Sequence, residues 1–194
     1  MKVNDHQAKP EQPETGALTK SLAREIVETI LLALILYLLI NAVTVRVRVD
    51  GTSMVPTLQN NELVVIYRLA YHFGQDPQRG DIIVFDSINR PDDELIKRII
   101  GLPGDEIVIR GGQVLVNGDP LEEAYIAAAP EYSGSWQVTE EKLFVLGDNR
   151  NVSSDSHVWG LLPLDEVVGK AIFVYWPIDE IGVINKDLVY AEDQ

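Results

Sequence analysis

One stretch near the start of this chain restricts everything that follows it. Ile26 to Val45 is a run of twenty residues with no charge between Ile30 and Ile40. A helix rises about 1.5 Å per residue, so the run reaches roughly 30 Å, the hydrocarbon thickness of a bilayer. A buried core helix would alternate apolar and polar residues at helical period, and no such alternation interrupts Ile30 to Ile40. Glu28 and Asn41 stand near the ends, where polar groups can reach the interface.

A cleavable leader is the competing reading. Against it, the segment ahead of the run exceeds twenty residues and carries Asp5, Glu11 and Glu14. No Ala-x-Ala step precedes Arg46-Val47-Arg48. The run is therefore expected to be a retained anchor over residues 21–45, behind a disordered polar tail over residues 1–20 that contains Pro10, Pro13 and Gly16. Lys9, Lys20 and Arg24 precede the span and Arg46 and Arg48 follow it. Positive charge alone thus leaves the orientation open.

Charge and composition narrow the partners. The chain has 16 basic and 30 acidic residues, a net charge of −14. Nearly all of the acidic excess lies beyond Arg46. Such a domain repels a phosphate backbone, which argues against nucleic acid. The absence of cysteine excludes disulfides and thiolate metal sites. The run Asp92-Asp93-Glu94 fits no metal-loop spacing and reads as solvated surface.

After the span the pattern changes to short β-like runs bounded by Gly, Pro, Asn and Asp. They are Arg46–Val49, Leu63–Tyr67, Ile82–Phe85, Leu95–Ile100, Glu106–Arg110, Gln113–Val116, Lys142–Leu146 and Val168–Tyr175. Gly111-Gly112 and Asn117-Gly118 are hairpin signals, because those positions tolerate φ > 0. The fold class is mainly β and antiparallel, on one helical anchor. Residues 119–141 look less regular, part of a small cap excursion around residues 108–141.

Three groups of residues carry chemistry. Ser53 lies between Gly51 and Pro56, in a turn rigid enough to hold a nucleophilic oxygen exposed and fixed. A lone turn serine usually caps its own backbone, so a partner base has to be found. In a strand over Leu95–Ile100, Lys97 falls on one face between Leu95 and Ile99. A free lysine titrates near 10.4; burial disfavours the ammonium and could bring it to about 8. An edge-strand lysine facing solvent fits the same spacing. The third group is Gly147-Asp148-Asn149-Arg150 with Ser153, Asp155 and His157. It offers hydroxyls and a carboxylate to orient a lysine, and also leaves open a Ser53–His157–Asp155 triad.

Four ordered segments, covering about residues 21–177, resemble the bacterial type I signal peptidase (leader peptidase) family. They are Ser53-Met54-Val55-Pro56-Thr57, the stretch from Arg79 to Phe85, Lys97 to Asp105, and Gly147 to Gly160. The resemblance implies a β-rich Ser/Lys catalytic core on a single N-terminal transmembrane helix, with residues 46–194 outside the cytoplasm. It implies Ser53 as nucleophile and Lys97 as general base, with Ser153 orienting the lysine and Asp155 supporting the site. Met54, Leu58 and Ile96 would line the pockets that select Ala-x-Ala. The activity implied is removal of signal peptides from exported preproteins through an acyl-enzyme, without metal or organic cofactor. The partners would be preprotein signal peptides and membrane lipid. The location would be the plasma membrane, single-pass, or the thylakoid membrane in a photosynthetic source.

There are two departures. Gly51 stands where some members carry a serine that completes the oxyanion hole, which leaves the backbone N–H of Ser53 as the nameable donor. His157 stands where many members carry arginine. Self-cleaving SOS-type repressors share a related dyad, but they carry a DNA-binding helix-turn-helix where this chain has a span. A non-catalytic, membrane-anchored β scaffold is the reading from another class. Finally, Ala127-Ala128-Ala129-Pro130 has the small-x-small pattern of a substrate, with proline just past the bond.

Overall fold

The computed structural model describes residues 15–72, 74–87, 90–184 and 189–190. The polar tail expected over residues 1–20 lies outside them up to residue 14; from Thr15 the chain is already helical. Helix α1 spans Thr15–Val43. Within it, the 22 residues Leu22–Val43 have a mean hydropathy of 2.4, and none is buried. Three of its polar side chains near the apolar run bond within the helix. Arg24 donates to Glu28 at 2.6 Å and the Thr29 hydroxyl to the Glu25 carbonyl at 2.8 Å. The chain divides after Ala42 into two compact units.

The helix stops two residues short of the expected anchor. Thr44-Val45-Arg46-Val47-Arg48 forms strand β1 (Thr44–Arg48), because its three β-branched residues, Thr44, Val45 and Val47, suit a pleated edge better than a helix. The remaining strands are β2 (Leu63–Tyr67), β3 (Ile82–Ser87), β4 (Arg90–Gly101), β5 (Glu106–Arg110), β6 (Gln113–Val116), β7 (Asp119–Glu122), β8 (Gly134–Gln137), β9 (Lys142–Leu146), β10 (Leu162–Pro163), β11 (Val167–Trp176), β12 (Gly182–Val183) and β13 (Val189–Tyr190). A one-turn helix α2 covers Ser156–Trp159. The domain is thus mainly β, and every strand pair is antiparallel.

Among the described residues the strands make two sheets. The larger runs β1-β2-β11-β3-β4-β9-β10, with β12 on β11. The smaller runs β13-β7-β6-β5-β8. The cap region is therefore more regular than its composition suggests: β7 and β8 lie inside the stretch 119–141. Both glycine-bearing turns form as the sequence requires. Gly111 and Gly112 have φ of 59° and 80°, and Asn117 and Gly118 have 55° and 94°.

Strand β4 links the two sheets. Ile96 packs in one core cluster with Met54, Leu58 and Val84. Ile100 packs in a second with Ile107, Phe144 and Val138, under the small sheet. Ile99 packs in a third with Ile83, Phe85 and Val145. At Gly101 an added Cβ would lie 2.9 Å from each of Ile107, Phe144 and Val138, so only glycine lets the strand pass that core.

Candidate active site

Ser53 and Lys97 come together across two elements. Ser53 lies in the turn between β1 and β2, and Lys97 lies on β4, opposite Ile83 of β3. Lys97 Nζ is 2.8 Å from Ser53 Oγ and donates to the Ile96 carbonyl at 2.9 Å. The lysine is 3% exposed, which excludes the solvent-facing edge reading. Burial pushes its ammonium down to about 8, while Asp155 and Asp148 push the other way.

The turn that carries Ser53 is tied down at both ends. Gly51 takes φ 90°, and its N–H donates to the Asn60 side chain at 2.9 Å. The Ser53 carbonyl accepts the Asn149 N–H at 3.0 Å, and the Thr52 carbonyl accepts the Asn149 side chain at 3.1 Å. The Thr57 hydroxyl donates to Asp148 at 2.5 Å. Asp148 in turn receives Arg98 on both oxygens, at 2.8 and 2.7 Å. Sequence reasoning placed no role on Asn149, Thr57 or Arg98. The signal available was the polar composition of Gly147 to Arg150, which does not say which group faces which turn.

The third group behaves less uniformly. Asp155 is fully buried; its Oδ2 accepts the Gly147 N–H at 2.9 Å. Its Oδ1 lies 2.6 Å from His157 Nδ1. The imidazole stacks on Tyr132, with centroids 3.8 Å apart. Ser53 thus finds Lys97, whereas His157 faces Asp155 and Tyr132. Ser153 Oγ is buried without a hydrogen-bond partner, so the expected bond to Lys97 is not made. It sits tightly beside the site: a Cβ at Gly147 would come within 2.3 Å of Ser153 Oγ and 2.5 Å of the Ser53 carbonyl. Met54, Leu58 and Ile96 share one core cluster and are 1%, 0% and 8% exposed. No group of three metal-ligating side chains occurs among the described residues.

The Ala127-Ala128-Ala129-Pro130 loop is held from the same segment. Asn151 donates to the Ala129 carbonyl at 3.0 Å and accepts the Glu131 N–H at 2.9 Å. The three alanines are exposed, and Pro130 is buried.

A buried lysine 2.8 Å from a serine hydroxyl, in an antiparallel β domain, is an arrangement capable of nucleophilic hydrolysis. The chain belongs to the family described as signal peptidase, peptidase S26, which matches residues 23–176. It is 40% identical to a signal peptidase I of Leptolyngbya laminosa over 189 residues, 92% of this chain and 93% of the relative. It is 42% identical to a probable signal peptidase I-2 of Synechocystis sp. over 170 residues, 84% of this chain and 78% of the relative. It is also 35% identical over 145 residues to thylakoidal processing peptidase 1 of Arabidopsis thaliana, covering 69% of this chain and 42% of that longer protein. The protein is an enzyme, a serine peptidase that removes signal peptides from preproteins.

Proposed function

We propose that Ser53 attacks the scissile carbonyl and that neutral Lys97 takes its proton, then returns it to the leaving amine. Water hydrolyses the acyl-enzyme by the reverse sequence. The observation that carries this is the 2.8 Å contact of Lys97 Nζ with Ser53 Oγ at a buried position. The Ser53 N–H serves as oxyanion donor. Asp155 supports the loop through Gly147. Ser153, whose buried hydroxyl makes no hydrogen bond here and so stays available, is the group we assign to orient the lysine. Met54, Leu58 and Ile96 back the pockets that admit small side chains. No metal takes part, so a chelator leaves the rate unchanged.

The domain works on the extracytoplasmic side of a plasma or thylakoid membrane, at the surface where a translocated chain emerges. Contact with lipid beyond the anchor is supported by the exposed cluster Trp176, Ile178, Ile181 and Val183, which are 51%, 71%, 50% and 70% exposed. The acidic domain takes no nucleic acid partner. The test is incubation of the purified protein with a preprotein bearing an Ala-x-Ala site, followed by mass analysis of the product ends. Cleavage elsewhere overturns the assigned specificity, and no cleavage overturns the mechanism in favour of a scaffold.

A further inference from the structure

A cavity of about 560 Å³ lies where β2 and β11 meet the loop that leads to β3. Tyr67 and Lys170 line it from the strands, and Tyr71, Gln75, Asp76 and Asp81 line it from the loop. Its volume falls in the range that small-molecule sites occupy. None of these residues belongs to the Ser53 turn or touches Lys97 Nζ.

The lining selects a ligand class by elimination. Lys170 Nζ lies 2.9 Å from Asp81 Oδ1, and the two side chains are 27% and 2% exposed. Asp81 Oδ2 accepts the Tyr71 hydroxyl at 2.9 Å and the Gln78 N–H at 3.2 Å. The Lys170 charge is thus already matched, and Asp76 adds an exposed anion to the wall. A phosphate or sulfate would meet net negative charge there, and an alkylammonium would meet the Lys170 ammonium. A neutral group rich in hydroxyls meets neither obstacle. It finds donors on Lys170 and Gln75, acceptors on Gln75 and Asp76, and tyrosines that offer a hydroxyl and an apolar ring together.

The backbone fixes where such a group comes from. Helix α1 ends at Val43, and the next residue, Thr44, pairs with Tyr67. The Arg68 N–H donates to the Val43 carbonyl at 3.0 Å. Neighbouring strands lie about 4.8 Å apart. In whatever direction the domain points, Tyr67 stays about 5 Å from the residue at which the chain leaves its apolar span. The headgroup layer beyond the hydrocarbon is itself roughly 5–8 Å deep on each side. The Tyr67 wall of the cavity is therefore at headgroup depth, where tyrosine is favoured.

We propose that this cavity binds the neutral sugar headgroup of a glycolipid from the leaflet in which α1 ends. The site is distinct from the exposed cluster around Trp176. Trp176 pairs with Leu63, at the other end of β2 and roughly 14 Å from Tyr67. Apolar contact at Trp176 does not discriminate among headgroups, whereas the cavity does. The proposal is independent of the roles given to Ser53 and Lys97, and its readout is binding.

Full-length protein in micelles of a polyoxyethylene detergent, which carries no sugar, is titrated with one of three lipids of identical acyl chains. These are monohexosyl diacylglycerol, phosphatidylglycerol and phosphatidylethanolamine, and bound lipid is counted by native mass spectrometry. The hexosyl lipid binds at least about tenfold more tightly than either phospholipid. Phosphatidylglycerol is the stringent control, because Arg46 and Arg68 are exposed on the same strand pair and attract an anionic lipid by charge alone. Gln75→Leu changes an exposed side chain and lowers the preference by about three- to tenfold, the worth of one or two hydrogen bonds. Combining it with Tyr67→Phe, which keeps the ring and removes the hydroxyl, abolishes the preference. Equal binding of the three lipids, tighter binding of either phospholipid, or a preference that survives the double change overturns the proposal. A free methyl hexoside that displaces the lipid at equal concentration assigns the cavity to a soluble sugar and overturns the membrane source.

Discussion

Lys97 and Arg98 are neighbours on β4, and both are out of solvent, at 3% and 0% exposure. Their surroundings make them opposites. Arg98 is saturated. It binds Asp148 on both oxygens, donates to the Gly80 carbonyl at 3.1 Å, and lies 3.9 Å over the Tyr125 ring. Lys97 has a carbonyl and a hydroxyl, and no carboxylate bonded to its Nζ among the described residues. A buried cation with a bidentate partner is structure; the same charge without one is driven to shed its proton. Alternation along one strand delivers both outcomes, one on each face.

That contrast can be broken from either side. The largest effect is expected at the unpaired residue. Ser53→Ala and Lys97→Ala each abolish measurable turnover, and the double change adds little, because members of a catalytic unit are not additive. Independent, multiplicative losses in steady-state rates would break the unit.

The paired residue should fail differently. Asp148→Ala leaves Arg98 buried without its partner and lowers stability by about 3–5 kcal/mol in denaturant unfolding. A smaller loss is expected when Arg98→Met is added, since the stranded charge is then gone. A third measurement reverses the sign at Lys97. Lys97→Met should stabilise the fold by roughly 1–3 kcal/mol at pH 7. The folded lysine titrates near 8 and the unfolded one near 10.5, so the unfolded state holds more protons between those values. Parent stability therefore rises with pH across that window and the gap to Lys97→Met narrows; a gap independent of pH would contradict the lowered basicity. The ascending limb of the rate should also lie near pH 8, and Leu95→Asp should move it alkaline.

The smallest effect belongs to the loop. Pro130→Ala alone should leave the chain almost intact. With Asn151→Ala added, a fragment beginning at residue 130 should accumulate, and only where Ser53 is present. Mass analysis of the purified variants at high concentration reads this directly.

Most of this was legible in the chain, for reasons that can be named. The hairpins were readable because Gly111-Gly112 and Asn117-Gly118 demand φ > 0. The strands carrying Val64, Ile82, Ile99 and Val145 were readable from β-branched runs between turns. The contact of a buried Lys97 with Ser53 was readable because an alternating strand puts Lys97 between Leu95 and Ile99, and because the ordered segments resemble a known family. The anchor's end was not: Thr44 and Val45 are apolar enough for a span, and only pairing with Tyr67 and Ile66 claims them for a sheet. Nor was the pinning of the Ser53 turn, which depends on Asn149, almost a hundred residues away in the chain. The Ser153 hydroxyl also escaped, since spacing does not fix a rotamer.

Asn151 bridges the two sides of the Ala129–Pro130 bond, and that small fact reaches beyond one molecule. Copies of an enzyme held at one membrane surface would be substrates within each other's reach. Each copy displays three alanines on its surface in the order a signal peptidase prefers. Recognition of such a sequence needs it laid out as a strand, with its carbonyl free to enter the neighbour's site. Here the carbonyl is already engaged, and the next nitrogen belongs to a ring. The expected consequence is that the shape this loop is made to keep spares one copy from another, so that crowding does not become self-destruction.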